Sequence, residues 1–380
     1  MKIPLIYACL CTALLWNGSV FAQAPASRTA TAASSAPASL SAPAVQAVVE
    51  PGQSIQAAIG AAPEQPAEPY VILIKKGTYR EKVIIDRPNI VLLGEDRDST
   101  RLIFAELAGK QVIREYKGKP VGNGVIVLQE GADDCLISTM TVYNNCGSTV
   151  EATTAHQMAI FGRATRTIVI NCNVWADGND ALALWAPGGE GMYYHADLDL
   201  RCPGVDFLCP RGWCYATRCR FYGDGRALIW HDGRGNFDKK LVITDSHFDS
   251  KSPVTLGRYH HDAQFFLLNC TMSDKIIDHP IGYAYTDQVL DPCPWGQRVY
   301  MHKVSREGGN FAWMADNLHQ AKGSPRPEEV TALWTFGGAW DPEQKIAELQ
   351  KRTDQGDCCF SGKVKNVTVL TVFTQKTSLY

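Results

Sequence analysis

Thirteen cysteines are the most reactive side chains in this 380-residue sequence, standing at 9, 11, 135, 146, 172, 202, 209, 214, 219, 270, 293, 358 and 359. Their spacing decides between redox chemistry, metal binding and simple packing. No C-x-x-C pair occurs, and the ligand spacings of zinc sites are not met. Eleven cysteines follow the first 22 residues, an odd number, so at least one thiol has no partner within the chain. Disulfides need an oxidising compartment, and the spacing leaves any pattern open. Carboxylates are the second reactive class. They are nowhere dense enough for the oxygen cage that calcium requires.

The elements around the cysteines explain them. Thr167-Ile168-Val169-Ile170-Asn171-Cys172-Asn173-Val174 is a β-branched run, then Asn-Cys, then a return to apolar residues. The pattern recurs at Leu241–Phe248, with Ser246 in the cysteine position, and at Phe265–Met272, with Cys270. Weaker copies lie at Tyr215–Phe221, with Cys219, and at Leu136–Val142, with Met140. Cys219, Ser246 and Cys270 are spaced by 27 and 24 residues, a period typical of solenoids. Short β-rich runs separated by Gly, Asn and Asp leave no room for a helix in each repeat. Each repeat is expected to be a rung of strands that buries its inner face only by stacking on its neighbours. The fold class is all-β, a parallel β-helix, and the repeated cysteine position is a column of buried thiols.

Solenoid ends need caps. Ser54–Gly60 predicts a short amphipathic helix with Ile55, Ala58, Ile59 and Ala62 on one face. Pro327–Leu333 and Pro342–Arg352 have helical composition and are expected to fold back along the outside. Met1–Ala22 reads as a signal peptide, with one positive charge, an apolar run over Ile3–Trp16 and small residues at its end. Lipidation at Cys9 or Cys11 is a lesser reading. Residues 23–46 are almost entirely Ala, Ser, Pro and Thr and predict a linker. A single domain then spans 47–380. The expected location is secreted or periplasmic, and no later segment is apolar enough for a membrane span. With 37 basic and 39 acidic side chains, the net charge of −2 argues against a nucleic-acid partner.

Five segments, in order, resemble the pectin methylesterase family: Gly77-Thr78-Tyr79-Arg80-Glu81, Gln157-Met158-Ala159-Ile160, Asn179-Asp180-Ala181-Leu182, Val205-Asp206-Phe207 and Leu256-Gly257-Arg258. The resemblance implies a right-handed parallel β-helix and hydrolysis of the methyl esters of polygalacturonate, with neither metal nor cofactor. It implies that Asp206 attacks the ester carbonyl to form an acyl-enzyme. Asp180 would protonate the leaving methoxide and later deprotonate water. Arg258 would hold Asp206 ionised through a bidentate contact, while Asp180 keeps its proton. Two carboxyls in different electrostatic settings divide into one acid and one base in this way. Gln157 and Asn179 would donate hydrogen bonds to the oxyanion. Gly77 and Tyr79 read as turn and packing residues.

The chain also departs from the family pattern. Asn179 stands where the family has Gln, one methylene shorter, and the stretch from Cys172 to Asp180 is one residue longer, which predicts a bulge. The Trp that follows the family's site arginine is replaced by Tyr259-His260-His261. Tyr259, His260, Trp213 and Trp185 are the candidates for the missing sugar-binding surface. The expected partner is pectin or a related esterified polysaccharide, bound by a monomer. The alternatives are hydrolysis of another ester or thioester on the same scaffold, and non-catalytic glycan binding. Gly178-Asn179-Asp180 faintly resembles the G-D-D of polygalacturonases, but the other segments of that family are missing.

Overall fold

A computed structural model describes residues 45–110, 113–152, 155–234, 236, 238–284, 293 and 295–356. The expected signal peptide and almost all of the expected linker lie outside the described residues, as do Cys9, Cys11, Cys358 and Cys359. The rest winds as a right-handed parallel β-helix with three sheets. Ordered pairing starts slightly before the expected domain boundary, because Gln46 exchanges hydrogen bonds with the Val71 backbone.

Each coil visits the three sheets in turn. In the first sheet, Leu136–Ser138, Thr167–Ile170, Gly191–Ala196, the end of Leu208–Thr217, Lys240–Thr244, Gln264–Leu268 and Val299–His302 pair in parallel, rung on rung. The corner after this sheet is a column of residues in the left-handed backbone region. Thr139, Asn171, Asp197, Arg218, Asp245, Asn269 and Lys303 have φ between 49° and 59°. Met140, Cys172, Leu198, Cys219, Ser246, Cys270 and Val304 follow them and are all buried. The thiol column therefore stands as the repeat implies. The coils centred on Leu198 and Val304, which carry no cysteine there, are the ones that the sequence pattern conceals. All nine described cysteines are free thiols. Burial pushes those of Cys219 and Cys270 up to about 12, so they are unreactive packing groups.

The N-terminal cap is the helix Ile55–Ala61, with Ile55 and Ile59 buried and Ser54 accepting a hydrogen bond from the Ala57 N–H. Glu81 accepts hydrogen bonds from the Ile55 N–H at 2.6 Å and the Ser54 hydroxyl at 2.8 Å, and Tyr79 donates from its hydroxyl to the Lys75 carbonyl. The Gly77–Glu81 segment thus anchors the cap. At the other end, Pro342–Gly356 is helical, but the expected helix over Pro327–Leu333 is broken. A 3₁₀ turn, Pro327–Glu329, is followed by a new helix, Ala332–Thr335, capped by Thr331, whose hydroxyl accepts from the Trp334 N–H. Phe336, Trp340, Ile346 and Leu349 cover the outer face of the first sheet, where Tyr194, Tyr215, Phe266 and Tyr300 are stacked.

Candidate active site

The outer face of the third sheet carries a smaller apolar cluster, in which Val121, Ile113 and Tyr116 join Phe161, Ala183, Cys209 and Trp230. The strands of this sheet include Ile160–Gly162, Leu182–Trp185, the start of Leu208–Thr217, Ala227–Asp232 and Thr255–His260. Side chains alternate between the interior and the outer surface. Two outward rows result from the register: Phe161, Ala183, Cys209, Trp230 and Arg258 in one, and Trp185, Arg211, Asp232 and His260 in the next.

Asp180 and Asp206 lie at the corner that feeds this sheet. Both occupy the left-handed region, with φ of 60° and 59°, which Asp tolerates better than most side chains. The Asp180 N–H donates to the Val205 carbonyl and the Asp206 N–H to Ala227, both at 2.9 Å, so the two carboxyls sit on successive rungs. They are 1% and 4% exposed. Arg258 reaches across from two rungs further on, donating from Nε to Asp206 Oδ1 at 3.2 Å and from Nη2 to Oδ2 at 2.7 Å.

This contact does not keep the Asp206 carboxyl in the ordinary range. Burial, reinforced by the nearby Asp180, outweighs Arg258 and raises its pKa to about 6. Arg258 was expected to hold Asp206 ionised; burial opposes it, and Asp206 is ionised above about pH 6. Asp180 has a different partner. The His156 ring Nδ1 bonds its Oδ2, and this contact raises the imidazole pKa above its usual value. His156 is half-exposed at the rim and also feels Asp206 and Arg258.

Gln157 and Asn179 are brought to the same corner. The Gln157 N–H donates to the Asn179 carbonyl, and a parallel bridge joins His156 to Asn179. Register then advances by one residue before Ile160 pairs with Leu182, so the extra residue is in the Gln157–Met158 coil. This extra residue is not the bulge expected between Cys172 and Asp180; it lies on the preceding rung. The Asn179 carbonyl oxygen of the side chain accepts from the Val205 N–H at 3.1 Å, tying it to the turn ahead of Asp206. Gln157 is wholly buried, and neither end of its amide makes a hydrogen bond to the described residues. An unpaired buried amide costs about 1–3 kcal/mol.

Trp185 and His260 face outward beside Arg258 and are partly exposed, and Tyr259 and Trp213 do not join them. Tyr259 is 8% exposed and packs inside the solenoid near Phe265, because it lies between two outward residues, Arg258 and His260. Trp213 follows Gly212, whose φ of 111° turns the strand out of the third sheet and into the first. It packs there beneath Lys239. Residues that the sequence reading passed over pack beside Trp185 and His260. Trp230, one rung before Arg258, is buried beneath them, with its ring 5.0 Å from His260 and 6.3 Å from Trp185. The Arg211 guanidinium lies 4.5 Å from the Trp185 ring centre and pairs with buried Asp232 at 3.3 Å. Burial and Arg258 depress the His260 imidazole to about 4, so it is neutral near pH 7.

The sequence model of the pectinesterase family matches residues 50–187. That span includes Gln157, Asn179 and Asp180 and stops short of Asp206 and Arg258. The chain is 38% identical over 91 residues to a probable pectinesterase 30 of Arabidopsis thaliana, a match covering 23% of this chain and 17% of that protein. It is 33% identical over 93 residues to pectinesterase A of Dickeya chrysanthemi, covering 24% and 25%. The chain thus matches a quarter or less of the length of these curated relatives. Among solved structures, pectin methylesterase PemA from Erwinia chrysanthemi superposes with a TM-score of 0.61 at 21% identity, over 79% of this chain and 99% of that one. A pectin methylesterase in complex with a hexasaccharide superposes with a TM-score of 0.59, also at 21% identity, over 77% and 98%. At this level of identity, the structural likeness concerns the fold.

Proposed function

We propose that the chain, whose residues 50–187 match the pectinesterase family model, works as a member of that family and hydrolyses methyl esters of polygalacturonate, releasing methanol. The observation that carries this reading is the pair of buried carboxyls on successive rungs, one gripped bidentately by Arg258 and the other bonded to His156, at the edge of an aromatic-walled groove.

Asp206, ionised above about pH 6, attacks the ester carbonyl carbon. The carbonyl π pair moves onto oxygen, and when it returns the C–OCH₃ bond breaks. Methoxide takes a proton from the Asp180–His156 pair and leaves as methanol. His156 suits this role because its contact with Asp180 raises the imidazole pKa above its usual value, favouring a proton held between the two. Water then attacks the acyl-enzyme and returns one proton to the pair; Asp206 leaves as its carboxylate, and the galacturonic acid formed loses the second water proton to solvent. Gln157 becomes an oxyanion donor only by turning toward the groove, where a substrate oxygen would satisfy its unpaired amide. Trp185 and His260, both partly exposed, offer ring faces for sugars. Arg211, held by Asp232 and Trp185, offers positive charge to an acidic polymer.

The sugar-stacking wall favours an esterified polysaccharide over a small thioester. The same reading makes the protein a secreted or periplasmic monomer that acts on plant cell-wall pectin. The test is methanol release from highly methylated pectin, run beside thioester and glycosidase assays. Methanol release that disappears in Asp206→Asn supports the reading. Turnover of only the thioester or the glycosidic bond overturns it.

A further inference from the structure

A second group of chemically active side chains converges far along the chain from the groove residues, at the last rung of the first sheet. His302 ends the strand Val299–His302, and Asp316 and His319 lie on the segment after the 3₁₀ turn Ala312–Met314. One ring nitrogen from each histidine and one Asp316 oxygen all lie within 4.8 Å of one another. His302 Nδ1 is 2.8 Å from Asp316 Oδ2, yet this buried nitrogen makes no hydrogen bond of acceptable direction. The two imidazole rings are 5.9 Å apart and steeply inclined.

The fold holds these groups in place. Asn317, between the ligands, accepts from the Met301 N–H at 2.7 Å and donates from Nδ2 to the Val299 carbonyl at 2.9 Å. The Asn317 and Leu318 N–H groups both donate to the Met301 carbonyl, and Leu318 is fully buried. Asp316 and His319 are thereby fixed on either side of the clamp, next to His302.

Two imidazoles and a carboxylate form a donor set for a borderline transition cation rather than for calcium or magnesium, which favour all-oxygen sites. Zinc bonds of about 2.0–2.2 Å put ligand atoms roughly 3.3 Å apart in a tetrahedron. The present spread contracts to that by movements of roughly 1 Å, which the exposed Asp316 and His319 can make. We propose that His302, Asp316 and His319 form a divalent transition-metal site, zinc by preference, that staples the segment after the last rung to the solenoid. Water fills the fourth position. The site takes no part in ester hydrolysis.

The test uses the full chain freed of metal by chelation. Titration calorimetry with zinc chloride should show one site with a Kd of roughly 10 µM or tighter. His319→Ala and Asp316→Asn, both at exposed positions, should each weaken it at least about 10-fold. Cobalt(II) should give a ligand-field band without a thiolate charge-transfer band, which separates this site from Cys293. Zinc should raise the Tm of the native chain by a few degrees, roughly, and that of His319→Ala not at all. Methanol release should be the same with and without zinc. Equal affinity in native and variant chains, a thiolate band, or no binding at millimolar zinc would each overturn the proposal; the ion pair of His302 with Asp316 would then be the whole of the structure there.

Discussion

Two columns of left-handed residues run along this solenoid, and they are built on opposite electrostatic rules. At the corner after the first sheet, partners on successive rungs are complementary. Arg218 makes a two-pronged contact with Asp197 at 2.8–2.9 Å, Asn269 donates to Asp245 at 3.1 Å, and Asn171 donates to Thr139 at 3.3 Å. At the corner before the third sheet, two buried like groups, Asp180 and Asp206, follow each other directly. The first column needs only local satisfaction of turn residues. The second places a carboxyl where its charged form is disfavoured and then recruits Arg258 and His156 from other rungs. The contrast separates the asparagines and aspartates that make turns from the two that are fit for chemistry.

The largest effects should come from the second column. Asp206→Asn should lower methanol release by about 10⁴-fold or more, since the amide cannot replace the nucleophile. Asp180→Asn should cost about 10²–10⁴-fold. In contrast, Arg218→Ala should leave methanol release unchanged and shift stability by no more than about 1 kcal/mol, because its pair is partly exposed. A loss of activity in Arg218→Ala comparable to that in Asp180→Asn would dissolve the distinction between the columns.

The pH profile sharpens the comparison. Because Asp206 must be ionised, kcat/KM should rise with pH through an acid limb near 6. Arg258→Ala should move that limb to higher pH, since the guanidinium is what opposes burial. Stability should have the opposite slope. A carboxyl whose pKa is raised on folding favours the folded state below its unfolded value of 3.8, and that contribution is lost as pH rises through about 6. Asp206→Asn should therefore gain stability relative to the native chain between pH 4 and pH 7, by up to about 3 kcal/mol. Chemical denaturation at the two pH values would read this directly, and an equal difference at both would contradict the burial account. A smaller effect on catalysis belongs to the wall: Trp185→Ala should raise KM about 10-fold with kcat nearly unchanged.

Much of this contrast was legible in the sequence. The β-branched runs ending in Asn-Cys revealed the rungs and the thiol column, because the same environment recurs at each coil. The order of Gln157, Asn179-Asp180, Val205-Asp206 and Arg258 pointed to one corner of the fold. Three things were not legible. Tyr259 was a poor candidate for the wall because strand alternation turns it inward once Arg258 faces out, and that follows only when the strand is known. Trp230 was missed because its neighbour across the rung, Arg258, is 28 residues away and carries no mark of their adjacency. His156 and the His302, Asp316 and His319 group were missed because coil length varies, so residues that meet across rungs have no fixed spacing.

The division of labour between the two aspartates is tested most directly with a nitrophenyl ester that enters the groove, because its leaving group needs no proton. Rapid mixing should then show a burst of nitrophenol from Asp180→Asn, at an amplitude near one per chain, as Asp206 is acylated. Asp206→Asn should show no burst. A full burst from Asp206→Asn with none from Asp180→Asn would reverse the two roles, and bursts from both would move the nucleophile elsewhere.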